Sequence, residues 1–152
     1  MSGGLILSGG ASSRMGRPKA LLTWEGEAFL RRLWRILTKH CAPVVIVTGA
    51  HDAEIRAALP ELTPYLRCNE RYEDGQFSSL RFGLSHFPES PGVVYWPVDY
   101  PAVAEETVRE LLRYEGVGVA KPRFQGKSGQ PILLGPEAQA ALRAVVAFAG
   151  PR

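Results

Sequence analysis

The chain has 152 residues, 45% hydrophobic and 22% charged, with a formal net charge of +3 at pH 7. These are the proportions of an ordinary globular protein and fit one domain, residues 1–152, with a core of its own. The positive charge is scattered, with no run of Lys and Arg, which leaves no electrostatic argument for nucleic acid or a membrane surface as partner.

No cationic region precedes an apolar stretch at the N-terminus, and no run is long enough to cross a bilayer. Cys41 and Cys68 match no metal spacing and are too few for a disulfide framework, so they read as reduced, buried thiols of a cytoplasmic protein. His40, His51 and His86 share no ligand spacing and read as surface or core-edge residues.

Leu5 to Ser8 forms the first predicted strand and runs into the loop of LILSGGASSRMGRPKALL, residues 5–22. Successive amides at Gly9 and Gly10 can form a concavity for an anion, and glycine lets the main chain approach it closely. Arg14 brings a planar fork of donors and Lys19 a point charge, a combination suited to a triphosphate. The loop is not a P-loop, since Gly10 and Gly16 are too far apart and Ala20 follows Lys19. The G-x-G-x-x-G fingerprint is absent as well.

From Glu27 to Lys39, Phe29, Leu30, Leu33, Trp34 and Leu37 recur at helical spacing, with Arg31, Arg32 and Arg35 on the wetter side. Val44 to Val47 reads as a strand buried on both faces. Asp52 is placed to cap a short helix over 53–59, and Pro60 ends it. Tyr65 to Cys68 is a third strand. Gly75 to Phe87 is a helix with Phe77, Leu80, Phe82 and Leu84 apolar and Ser78 and Ser79 near its start.

Val93 to Val98 is a fourth strand ending in Asp99, which could hold Mg²⁺ as a hard oxygen ligand or satisfy the turn. Tyr95 and Trp96 in that strand read as core. A helix from Ala102 to Tyr114 follows, then strands at 117–121 and 131–134 around a polar excursion, and an Ala-rich helix over 136–148. Strands separated by helices imply a mostly parallel sheet that binds ligands beyond its strands' carboxyl ends, where Gly9, Gly10 and Asp99 would meet.

Leu7, Gly10, Ser12, Arg14, Met15, Gly16, Lys19 and Leu21 together resemble L-x-x-G-x-S-x-R-M-G-x-x-K-x-L, the signature of nucleotidyltransferases with a molybdenum cofactor guanylyl/cytidylyltransferase-like domain. Asn69 with the segment from Gly75 to Leu84 is similar to the family's N…G-x-x-x-S-L-x-x-G-L block. The segment Phe124 to Pro131 resembles its G-x-x-G-H-P stretch, with Gln130 where histidine is usual. Gln130 can hydrogen-bond but cannot take up a charge.

The resemblance implies a three-layer, Rossmann-like α/β fold. It places Leu7, Ser8, Gly9, Gly10, Ser12, Arg14, Lys19, Asn69 and Ser79 on the nucleotide, and Gly129, Gln130 and Pro131 on the acceptor side. Arg14, Lys19 and Asp99 would be catalytic, with Asp99 on Mg²⁺ as the cofactor. Ser13, Pro18 and the triplet Ser78-Ser79-Leu80 suit the cytidylyltransferase form, so the expected reaction moves CMP from CTP to the terminal phosphate of molybdopterin. GTP, or a sugar phosphate acceptor, is the alternative within the same chemistry.

Relatives usually continue into a D-x-D-T-P-type segment bearing a second metal carboxylate, and the sequence ends at Arg152 without that motif. Asp99 is then expected to work with phosphate oxygens and water, or with another acid such as Glu73 or Asp74. The alternative of another class is a nucleotide-binding protein without turnover. The partners expected are CTP or GTP and a molybdopterin-type acceptor, with the protein a monomer or weak homo-oligomer.

Overall fold

The computed structural model describes residues 1–8 and 17–145. Strand β1 (Gly3–Ser8) is buried almost throughout, because Leu5 and Leu7 point to one face of the sheet and Ile6 to the other. After a single 3-10 turn at Lys19–Leu21 comes a hairpin of β2 (Thr23–Trp24) and β3 (Glu27–Ala28). Its two turn residues, Glu25 and Gly26, both have positive φ (52° and 81°), the left-handed conformation that a two-residue hairpin demands.

Helix α1 therefore starts at Phe29, not at Glu27, and runs to His40. Glu27 instead faces the helix and accepts from Arg31 (2.9 Å) and Arg35 (2.8 and 2.9 Å). Hydrogen bonding from Arg35, opposed by partial burial and reinforced by Arg31, holds the Glu27 carboxyl below its ordinary 4.5. A lowered folded-state pKa means stability that is present above about pH 4.5 and lost as pH falls through the folded value. The melting temperature is expected to fall as pH is lowered from about 5 to 3, and Glu27→Gln should flatten that slope; an unchanged slope would remove this ion pair from the account.

The chain continues through β4 (Val44–Thr48), α2 (Asp52–Ala58), a 3-10 segment at Pro60–Tyr65, β5 (Leu66–Cys68), α3 (Gln76–Leu84) and β6 (Val93–Pro97). Then come α4 (Glu105–Leu112), β7 (Val119–Ala120), the hairpin β8 (Arg123–Phe124) with β9 (Lys127–Ser128), β10 (Ile132–Leu134) and α5 (Pro136–Ala144). The polar excursion is thus a second hairpin, turned by Gln125 and Gly126, also at positive φ. The expectation of a last helix reaching 148 extends beyond the described residues.

The sheet order is β5-β4-β1-β6-β10-β7, with the first four strands parallel and β10 antiparallel to both neighbours. On one face Ile6, Ile46 and Trp96 pack with Leu30, Leu33 and Leu37 of α1 and Val108 and Leu111 of α4. On the other, Leu5, Leu7, Val45 and Val47 meet Leu84 of α3, with Ala138 and Leu142 of α5 against the same cluster. Helices on both faces of a mostly parallel sheet make the three-layer, Rossmann-like arrangement expected.

Phe77, expected on the apolar face of its helix, is 41% exposed, since α3 turns that position away from the sheet. Asp52 does not cap α2 from outside; it is the first helical residue, and its carboxylate accepts from Thr48 and Arg56. Both cysteines are free, Cys41 buried and Cys68 half-buried. Burial, aided by the Glu115 carboxylate, pushes the Cys41 thiol up to about 12. Since the thiolate is the reacting species, Cys41 should resist iodoacetamide at pH 8 until the protein is unfolded, as peptide mass mapping can read; rapid native labelling would contradict its place in the core.

Candidate active site

The chain leaves β1 to build β4 and β5 on one side and later returns to place β6 on the other, so the direction of winding reverses at β1. Ligands bind where such a sheet reverses, beyond its carboxyl edge. A cleft of about 420 Å³ opens there, with Leu7 and Ser8 from the end of β1 and Pro97, Val98 and Asp99 from the end of β6 among its walls. Lys19 lies on the same wall as Asp99, its Nζ 3.2 Å from Oδ1, and both side chains are about half exposed. A cation and a carboxylate that sequence separates by a whole βα series therefore face each other over one opening.

The Asp99 turn is fixed from two sides. The buried Trp96 donates through Nε1 to the Tyr100 carbonyl at 2.9 Å. From α1, Arg32 donates to the carbonyls of Pro101 (2.6 Å) and Val103 (2.8 Å), with its guanidinium 4.5 Å from the centre of the Trp24 ring. Arg32 is thus no solvated helix residue; it straps the loop that carries the acid. Packing of this kind holds a side chain in position before a ligand arrives.

The opposite half of the cleft comes from the ends of β4 and β5. His51, Tyr72, Glu73, Gly75, Gln76 and Ser79 line it. Asn69 does not: it is 4% exposed, and its Nδ2 donates to Ser78 (3.2 Å) and Ser79 (3.0 Å) while Oδ1 accepts from the Arg71 amide. Both amide hydrogens are spent inside the protein, so Asn69 braces the loop and leaves the hydroxyl hydrogen of Ser79 available at the cleft wall. Of the two acids considered near Asn69, Glu73 borders the cleft and Asp74 is not among its lining residues.

Gly129, Gln130 and Pro131 stand away from these walls. The antiparallel pairing of Ile132 with Tyr95 brings them to the same end of the sheet as Asp99, on the far side of β6. Gln130 has a buried Oε1 without a partner among the described residues. Gly9, Gly10, Ser12 and Arg14 lie outside the described residues. His51, Tyr72 and Gln76 carried no motif in the sequence. The position of His51 just beyond a strand's carboxyl end was the one available signal.

Among the described residues no group of three or more His, Cys, Asp or Glu could hold a metal ion by itself. Asp99 offers a half-exposed carboxylate to the cleft, which fits a hard cation such as Mg²⁺ that fills its coordination with phosphate oxygens and water.

A doubly wound sheet with a cation and an acid set at its point of reversal is the arrangement in which open α/β proteins bind ligands. The chain belongs to the MobA-like NTP transferase domain family, whose model matches residues 4–152. A probable molybdenum cofactor guanylyltransferase of Bacillus cereus is 30% identical over 133 residues, covering 86% of this chain and 65% of its own. The chain spans between about half and two thirds of the length of such curated relatives, with 54% for another strain's protein.

A nucleotidyl transferase from Methanothermobacter superposes with a TM-score of 0.80 at 20% identity, covering 97% of this chain and 77% of its own. A Mycobacterium tuberculosis protein solved in complex with manganese gives 0.79 at 21%, over 94% of this chain and 75% of its own. At such identities these two structures show the fold alone. In the described part, no helix is long and apolar enough to cross a membrane.

Proposed function

We propose that the protein transfers a guanylyl group from GTP to the terminal phosphate of a molybdopterin-type acceptor, with release of pyrophosphate. The observation that carries this reading is the Lys19–Asp99 pair on the wall of the cleft, a cation beside a carboxylate, which supports a phosphate site next to a metal site. The relatives' description as probable guanylyltransferases favours GTP over the CTP that Ser13, Pro18 and Ser78-Ser79-Leu80 suggested.

The acceptor phosphate has a second pKa near ~6, so at neutral pH it is already a competent nucleophile and needs no general base. One of its oxygens attacks the α-phosphorus in line; the bond from that phosphorus to the β-bridging oxygen breaks, and pyrophosphate leaves with the electron pair. The obstacle is the approach of two anions and the charge on the leaving group, so positioning and cations carry the rate. Lys19 binds and neutralises the phosphates, Arg14 joins it, and the main chain from Ser8 to Gly10 meets the base and the α-phosphate. Ser79 donates its free hydroxyl hydrogen to the nucleoside. Asp99 would hold the divalent cation, Mg²⁺ or Mn²⁺, which when bound supplies Lewis-acid neutralisation of phosphate charge.

Pyrophosphate release is the test, measured with molybdopterin, a divalent cation and either GTP or CTP. Release is expected with GTP in preference to CTP. Release with CTP alone would restore the cytidylyl expectation. No release with either, despite measurable binding, would make this a nucleotide-binding protein without turnover.

A further inference from the structure

Strand β7 runs parallel to β6, because each is antiparallel to β10. It therefore ends at the same carboxyl edge as Asp99, and β10 starts from that edge. The β8–β9 hairpin between them stands beyond it, closed at its base where the Gly129 amide donates to the Pro122 carbonyl at 2.9 Å. In the sheet β10 and β7 follow β6, so the hairpin flanks Asp99 on the side away from β1, β4 and β5. A nucleotide held by Lys19 and Asp99 leaves that flank to the second substrate.

The flank is positively charged. From Gly116 to Pro136 the chain holds Lys121, Arg123 and Lys127 and no acid. Arg35, Arg56 and Arg143 are tied to Glu27, Asp52 and the Phe87 carbonyl. The three cations of the flank are exposed, and among the described residues their side chains form no ion pair or hydrogen bond.

Residues directly opposite in an antiparallel pair point to the same face. Phe124 pairs with Lys127 and Arg123 with Ser128, so one face of the hairpin carries a ring beside an ammonium and the other a guanidinium beside a hydroxyl. Phe124 is 77% exposed and packs in neither half of the core. One exposed ring is ordinary on a surface. A ring and an unpaired ammonium side by side at the ligand-binding edge match a flat heterocycle that carries a phosphate, the ring offering a stacking face and the ammonium a charge for the anion.

We infer that Phe124 and Lys127 bind the acceptor, Lys127 through its terminal phosphate and Phe124 through its ring system. An oxygen of that phosphate not engaged by Lys127 stays free to attack. This rests on the nucleotidyl-transfer reading above. It goes further by giving the acceptor a binding face on the hairpin, outside Gly129, Gln130 and Pro131.

The experiment measures pyrophosphate release at varied molybdopterin, with Mg²⁺ and whichever of GTP and CTP the wild type prefers. The variants are Lys127→Gln, Phe124→Ser and Arg123→Gln, with thermal melts confirming that each is folded. The KM for molybdopterin is expected to rise about tenfold in Lys127→Gln, the order expected of one hydrogen bond to a charged group. It should rise about tenfold in Phe124→Ser as well, the order of one stacked ring. The KM for the nucleotide should stay at the wild-type value in both. Arg123→Gln removes the same charge from the opposite face and should change the KM for molybdopterin by no more than about twofold, as for an exposed charge without a contact. An unchanged KM for molybdopterin in Lys127→Gln or Phe124→Ser, an equal rise in the KM for the nucleotide, or a rise in Arg123→Gln as large as in Lys127→Gln would overturn the inference and leave the transfer reading intact. Wild-type protein that releases no pyrophosphate with either nucleotide would overturn both.

Discussion

Lys19→Ala is expected to lower the rate of pyrophosphate release by roughly two to three orders of magnitude, the range seen when one preorganised charge-stabilising donor is removed. Nothing in the core depends on this side chain. It is half exposed, follows Pro18 on a 3-10 turn, and pairs only with Asp99 among the described residues. An ion pair so open to water contributes little to stability, so the melting temperature should stay near that of the wild type. Activity and stability are thereby separated in one variant. Lys19→Arg keeps the charge but replaces a compact ammonium by a broad planar fork, and should recover only part of the rate. A Lys19→Ala enzyme with near-normal turnover would remove the main residue assignment.

Trp96→Ala is expected to cost about 3–5 kcal/mol of stability, a large share of the roughly 5–15 kcal/mol that holds a domain of this kind together. Trp96 is fully buried in the middle of β6, between α1 and α4, so its removal leaves a cavity that neighbours close only in part. The same side chain reaches past the strand to the Tyr100 carbonyl, so its loss also frees the turn that bears Asp99. Trp96→Phe separates the two effects: it restores most of the packing but not the indole N–H. Denaturant unfolding should find it closer to the wild type than Trp96→Ala, while its half-saturating metal concentration rises. A Phe variant with unchanged metal dependence would show that the Tyr100 bond does not position the acid.

The elements legible in advance were those whose residues announce burial. Val44 to Thr48 and Val93 to Pro97 are apolar runs, and both are central strands buried along nearly their whole length. Asp99 was legible for a related reason, since a carboxylate straight after such a run must emerge at the edge of the sheet where ligands sit.

What escaped was set by local turns and by contacts distant in the chain. The Glu25-Gly26 and Gln125-Gly126 turns depend on consecutive positive φ angles, and the first shortens the predicted helix by converting Glu27 from a helical residue into a partner of Arg31 and Arg35. Asn69 matched a family block, yet its amide is consumed by Ser78 and Ser79, an arrangement that arises only when β5 and α3 meet. His51 had no motif, and its place on the cleft wall appears only when β4 and β1 are seen to end side by side.

The carboxyl edge of the sheet is expected to bind a nucleoside triphosphate through Lys19 and a metal on Asp99. The most direct test is a titration of GTP into the protein, with and without Mg²⁺, followed by the same titration into Asp99→Asn. One saturable site is expected, with an affinity that requires the metal and is lost in the variant. Binding of equal strength in wild type and Asp99→Asn, or no heat from GTP with Mg²⁺ present, would contradict it.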